Sequence, residues 1–248
     1  MPQYNIGEID ELKAVLTLIY HRDHGSFTNV GYGINHNYQS HNLTLENIKL
    51  LDNDSTISIA HSCGITKAAA SYKADVYINN IGYSLKSNRG AKPALLNHTH
   101  RDGLIKVLER LGENINSLDI LVDNYWAQRL AGVHSEDVRF KDSAFNANKA
   151  LMIKILEYFM FIGTARGNSL HPAQYLYSFS DPTDIKTWLI YSPNDAANNI
   201  IDNTIISIRN KGLPPTYQKN SVNKQHIKIH PWVKTVDGCN KGCIHIRF

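Results

Sequence analysis

The stretch SYKADVYINNIGYSLKSNRG, residues 71–90, places Asp75 on one strand-like run and Ser84 and Lys86 on the next, with Asn79-Asn80 between them. Val76 and Ile78 alternate with Asp75 and Tyr77, and Leu85 alternates with Ser84 and Lys86, which is the period-two pattern of a hairpin. A turn at Asn79-Asn80 sets Asp75 opposite Ser84, whereas a turn at Asn80-Ile81 sets it opposite Lys86. Either register leaves the three side chains on one face, with opposed Cβ atoms about 4.5–5.5 Å apart. A carboxylate, a backbone carbonyl and an ammonium on such a patch suit phosphodiester hydrolysis. Carboxylate and carbonyl oxygens can hold Mg²⁺, which supplies charge neutralisation and a more acidic water, and a lysine can orient that water or meet the developing charge.

The elements that must position this patch are legible in outline. Ile9, Leu12, Leu16 and Ile19 recur three or four apart, predicting an amphipathic helix over the first 20 residues with Glu8 and Glu11 on its other face. Residues 21–43 read as loop, residues 44–51 as a short helix and STISIA (55–60) as a strand. After the hairpin, SNRGAKPALLNHTH (87–100) reads as a polar, basic loop. Helices are expected at 101–111 and at 118–130, the latter with Leu118, Leu121, Val122, Tyr125, Trp126 and Leu130 on one face. A helix at about 147–162, apolar almost all round, reads as a buried crossover. The runs QYLYSF, TWLIYS, TIISIR, HIKIH and CIHIRF then read as strands. The expected fold is α/β, a central mixed β-sheet flanked by helices with a β-rich basic C-terminal part. At 248 residues it is expected as one domain, with 204–248 as a basic subdomain.

Composition narrows the classes. The net charge of +4 is modest, but residues 84–110 hold a local +4 and residues 209–248 a local +7, leaving −7 for the rest. Two basic blocks on an otherwise acidic chain suit a polyanion, because each phosphate neutralised releases counterions. No apolar run reaches the ~20 residues of a membrane span, and residues 1–20 lack the pattern of a secretory signal. Three cysteines are too few, and odd in number, for a disulfide framework. A cytoplasmic protein with no membrane partner is expected. Cys239 and Cys243 form a C-x3-C near His230 and His245, but no second ligand pair has zinc-site spacing, so they read as small residues of a Gly-rich turn. The clusters HRDHG and NHTHRDG lack the strand-turn-helix pattern of a histidine-metal nuclease, and GYG at 31–33 lacks the helix of a nucleotide-binding loop.

KADVYINNIGYSLKSNRG resembles the active-site hairpin of the PD-(D/E)XK nucleases, especially type II restriction endonucleases. In these an Asp ends one strand, and an acidic or polar residue, any residue and a Lys lie on the next. The likeness covers about 30 residues, including the basic loop after the lysine. It implies a restriction-endonuclease-like core that cuts double-stranded DNA at specific sites with Mg²⁺. Asp75 then matches the metal-binding aspartate, Ser84 the variable position and Lys86 the catalytic lysine, with the Leu85 carbonyl as a further metal ligand. Ser84 departs from the usual second acid, and a hydroxyl is a poor Mg²⁺ ligand. The missing carboxylate must come from elsewhere. Asp102 or Glu109 on a later helix is one source, and Glu8, Glu11 or Glu46 on earlier helices are rivals. DNA contacts are expected from Ser87, Asn88, Arg89, Lys92, Asn97, His98 and Arg101 in the loop after the hairpin, where forked donors can read base edges. Lys219, Lys224 and Lys228 in the basic tail are expected to meet phosphates. A two-fold homodimer would suit a palindromic site. The alternatives are a repair or recombination nuclease of the same fold and a DNA-binding protein without catalysis.

Overall fold

A computed structural model describes residues 4–66, 69, 71–89, 93–213 and 231–248. In chain order the elements are α1 (Ile6–Asp23), β1 (Val30–Gly31), α2 (Leu45–Leu50), α3 (Asn53–Ser62), β2 (Val76–Ile78), β3 (Ile81–Ser87), β4 (Ala94–Thr99), α4 (Arg101–Arg110), α5 (Ile115–Leu130) and β5 (Val138–Arg139). There follow α6 (Lys149–Glu157), β6 (Gly163–Thr164), β7 (Gly167–Asn168), β8 (Tyr175–Phe179), β9 (Leu189–Tyr191), α7 (Pro193–Ile201), β10 (Ile205–Arg209), β11 (Lys234–Val236), β12 (Cys239–Lys241) and β13 (Cys243–Arg247). The protein is mixed α/β. Among the described residues no helix is long and apolar enough to cross a membrane.

The chain divides into two compact units, the first made of Met1–Pro93, Met160–Gly163 and Asn168–Ala196, the second of Ala94–Phe159, Thr164–Gly167 and Ala197–Phe248. The first unit carries a mixed five-stranded sheet in the order β1-β2-β3-β8-β9, in which β3 and β8 run parallel and the other neighbours antiparallel. α1 packs on β3 and against α2 and α3, closing a core of Leu16, Leu18, Ile19, Val30, Ile48, Val76 and Leu85. α1 starts where it does because Asn5 accepts a hydrogen bond from the Glu8 N–H while the Glu8 carboxylate accepts one from the Asn5 N–H, each at 3.0 Å. This reciprocal cap satisfies two donors that a helix start leaves open.

STISIA is helical, contrary to the strand expected from its β-branched residues. Asp52 caps α3 by accepting from the Ser55 N–H at 2.7 Å, and Thr56 and Ala60, four apart, supply the buried face. The cap and the period of burial outweigh the propensity of Thr and Ile. The hairpin forms with the Asn79-Asn80 turn: Ile78 faces Ile81 and Val76 faces Tyr83. Both asparagines have positive φ, 49° and 67°, the conformation of a two-residue turn whose twist matches the strands.

The second unit holds an antiparallel sheet in the order β4-β13-β10-β5. Its first strand corrects the loop expected at 87–100: Ala94–Thr99 pairs with β13, with register shifts that accommodate the irregular sequence. On α5, Leu118, Leu121, Val122, Tyr125 and Trp126 are buried as expected, whereas Leu130 is exposed at the C-terminal end. α6 ends at Glu157 and the chain continues as a π turn over Tyr158–Ile162, so the helix is shorter than its apolar run. QYLYSF, TWLIYS, TIISIR and CIHIRF supply β8, β9, β10 and β13. HIKIH lies outside the described residues. Cys239 and Cys243 are free thiols, and the described residues contain no group of three or more His, Cys, Asp or Glu placed to hold a metal.

Candidate active site

The hairpin register sets Asp75 beside Ser84. The Asp75 N–H donates to the Tyr83 carbonyl at 2.8 Å. Its Oδ2 accepts from the Ser84 hydroxyl at 3.2 Å and from the Leu85 N–H at 2.7 Å. Ser84 is buried, and its hydroxyl orients the Asp75 carboxylate.

Lys86 reaches over this carboxylate. Its Nζ donates to the Leu85 carbonyl at 2.6 Å and lies 3.6 Å from Asp75 Oδ2. It also lies 3.5 Å from Glu11 Oε1. Glu11 is thus a second carboxylate, besides Asp75, that Lys86 faces. Of the acids that the sequence left unranked, α1 brings Glu11 to the hairpin, whereas Glu8 is engaged in the cap of its own helix and Glu46 is exposed in the first turn of α2. Asp102 and Glu109 belong to α4 in the second unit, both exposed, with Asp102 at 3.9 Å from His100.

The electrostatics of the patch are tense. Burial pushes the Glu11 carboxyl up to about 7 against the pull of Lys86, and the negative charge of Asp75 adds to the rise. Burial alone would lower Lys86, but Glu11 and Asp75 outweigh it and hold the ammonium above the ordinary lysine range. Lys86 is thus a fixed cation at neutral pH, and Glu11 is an acid able to exchange a proton there. Lys73, two residues before Asp75, escaped the sequence reading. Burial lowers its ammonium to about 8, Lys86 adds to the fall and Asp75 opposes it. Tyr38 also escaped it: burial pushes its phenol up to about 12, with Asp75 contributing. Neither stands in a recognisable motif, and both are brought in by the fold. A pocket of about 220 Å³ opens beside the acids, lined by Glu8, Glu11, Leu12, Tyr72, Asp75 and Leu85 among others.

Two carboxylates and the Leu85 carbonyl form an oxygen donor set that fits Mg²⁺, which commonly binds through one or two carboxylates and keeps several waters. The cation facing these three oxygens is the Lys86 ammonium, which a metal ion would have to displace from the Leu85 carbonyl.

The expected DNA-contacting residues are dispersed in role. Ser87 is buried and donates to Asp10 at 2.6 Å. Asn88 is exposed and extends the β3–β8 pairing through its N–H to the Phe179 carbonyl, while its Oδ1 accepts from Ser178. The forks of both expected base-reading arginines close on protein carboxylates. Arg89 takes Asp10 in the first unit, and Arg101 takes Asp119 at 2.8 and 2.6 Å in the second. Asn97 is exposed on β4. His98 stacks on His245 with ring centroids 4.3 Å apart, and burial, helped by His245 and nearby Lys211 and Arg209, lowers its imidazole to about 4. It is therefore neutral at physiological pH. Lys92, Lys219, Lys224 and Lys228 lie outside the described residues.

No protein-family model matches the chain, and neither the curated proteins nor the solved structures give a match.

Proposed function

We propose that this chain is a Mg²⁺-dependent endonuclease of double-stranded DNA, of the type II restriction class, acting in the cytoplasm. The observation that carries the reading is the meeting of Glu11 and Asp75 about Lys86 and the Leu85 carbonyl. It supplies from α1 the acid that the hairpin motif lacks at Ser84.

In this reading Glu11, Asp75 and the Leu85 carbonyl hold the metal. Bound Mg²⁺ supplies neutralisation of phosphate charge and a more acidic water. Ser84 and the Leu85 N–H fix the orientation of Asp75 by donating to its Oδ2. Lys86, held protonated, is excluded as the base and meets the charge that develops on the phosphate oxygens. Glu11 would bind the metal as its carboxylate, so the proton that burial favours on it in the free site would leave as the metal enters. Lys219, Lys224 and Lys228 of the basic tail meet the DNA phosphates, and a two-fold dimer would address both strands of a palindrome in one encounter.

The test is incubation of the purified protein with long unmethylated DNA and Mg²⁺, and in parallel with EDTA. Discrete bands that appear with Mg²⁺ and disappear with EDTA are expected. Cleavage without fixed sites would favour a repair or recombination nuclease. Salt-sensitive DNA binding without cleavage in Mg²⁺ or Mn²⁺ would overturn the enzyme reading in favour of a DNA-binding protein.

A further inference from the structure

We infer that Asp10, Ser87 and Arg89 form a clamp that sets the register of α1 on β3 and thereby positions Glu11 against Asp75 and Lys86. The inference rests on the reading of Glu11 and Asp75 as metal ligands and names the residues that hold them in place.

The two acids have different supports. Asp75 and Lys86 share a hairpin whose backbone ladder fixes their separation. Glu11 arrives on a helix, and a helix has no backbone bonds to offer a sheet. α1 meets the sheet through an apolar face that includes Leu12, Val15, Leu16 and Ile19. Such burial is non-directional and does not fix an axial position to the ~0.5 Å that a shared ligand requires.

The directional link stands one residue away from the site on both elements. Asp10 precedes Glu11, and Ser87 follows Lys86. Asp10 is 1% exposed. Its Oδ2 accepts from the Ser87 hydroxyl at 2.6 Å and from Arg89 Nε at 2.9 Å, and its Oδ1 accepts from the other arm of the guanidinium. Ser87 Oγ in turn accepts from the Arg89 N–H at 3.1 Å. The result is a closed knot in which a planar fork meets a planar carboxylate, an arrangement that tolerates neither sliding nor rotation. A second tie acts on the same helix: Lys13 Nζ donates to the Leu51 carbonyl at 2.6 Å and to the Lys49 carbonyl at 3.3 Å. Apolar side chains of similar volume would hold a helix on a sheet as firmly as a buried ion pair does. What the pair adds is direction, and here the direction passes straight into the position of Glu11.

The experiment measures Mn²⁺ binding to the whole protein by calorimetry, together with kcat and KM for DNA cleavage. Arg89→Met and Asp10→Asn are expected to weaken Mn²⁺ binding by roughly 10–100-fold, the range seen when residues that orient metal ligands are changed, and to lower kcat while KM for DNA stays within about twofold. Arg89→Lys keeps the charge and one of the two bonds, and should recover part of the loss. Ser87→Ala, the mildest excision, should give a smaller loss of the same kind and serves if the other variants fold poorly. Glu11→Gln is the control on the underlying reading. If wild type and Glu11→Gln bind Mn²⁺ alike, the metal-site reading fails. If Glu11→Gln loses binding while Arg89→Met, Asp10→Asn and Ser87→Ala bind as wild type, the clamp is overturned. A rise in KM for DNA with unchanged Mn²⁺ binding would likewise overturn it and make Arg89 a DNA contact.

Discussion

Glu11 in the first unit and Asp137 in the second are both partly exposed carboxylates beside cationic side chains, yet their surroundings drive them in opposite directions. Asp137 is gripped from two sides, by Arg209 at 2.8 Å and Arg247 at 2.6 Å. Burial alone would raise it, but the two arginines outweigh burial and lower its pKa. Glu136 and Asp237 nearby share Arg129 and Lys241 in the same way. Glu11 shares a single lysine, at 3.5 Å, with a second carboxylate, and burial wins. One region uses charges as fasteners. The other keeps them short of full compensation, which is the condition in which a protein group can bind an ion or move a proton.

The contrast is broken most severely by removing the shared cation. Lys86→Ala should abolish cleavage, with a loss of at least about 10²–10³-fold as for the removal of a preorganised charge stabiliser. DNA binding should stay within several-fold, because many phosphate contacts dominate affinity. Single-turnover cleavage and equilibrium titration of the same preparation measure both. Normal cleavage by this variant would remove the hairpin from consideration as the active site.

A medium effect separates function from stability at Glu11. Its folded pKa is raised from 4.5 to about 7, so the native state binds this proton more tightly than the unfolded chain. The stability it contributes is fully present below pH 4.5 and is lost as pH rises through 7. Glu11→Gln should therefore lower cleavage, with partial recovery at higher Mn²⁺. It should also gain about 1–3 kcal/mol over wild type on going from pH 4.5 to pH 8. Denaturant titrations at the two pH values check the sign, and a stability difference, variant minus wild type, that falls as pH rises would refute it.

The smallest effect sharpens the other side. The Asp137 carboxyl is lowered, so its contribution is present above the ordinary carboxylate pKa near 3.8 and is lost as pH falls through its folded value. Asp137→Asn should cost about 0.5–1 kcal/mol at pH 7 and low salt. The loss should shrink in 1 M salt and leave the metal dependence of cleavage unchanged. A variant that shifts the metal requirement would show that this network is more than a fastener.

The hairpin was legible because its information is local. Period-two alternation and an Asn-Asn turn lie within 14 residues, and they bring Asp75, Ser84 and Lys86 together in either register. Glu11 was visible as an acid on the polar face of a helix, but its rank over Glu8 or Asp102 depended on where α1 docks, which no spacing encodes. STISIA misled because β-branched side chains suit either state, and the deciding signal was Asp52 outside the run. ALLNHT was hidden by its Pro and Asn-His surroundings, and its pairing partner β13 lies some 150 residues away. The forks of Arg89 and Arg101 read as base-recognising groups because a sequence does not show whether a donor is already taken.

The parallel pairing of β3 with β8 has a consequence in time. Glu11, Asp75 and Lys86 are all made before residue 90, but one edge of β3 has no partner until Tyr175–Phe179 exists, because the chain first passes through much of the second unit. At ribosomal speeds of about 5–20 residues per second, that interval lasts on the order of 5–20 s. During it the nascent sheet is open along the strand that carries Ser84 and Lys86. A first unit assembled in this order closes its central sheet only after much of the second unit's chain has been made.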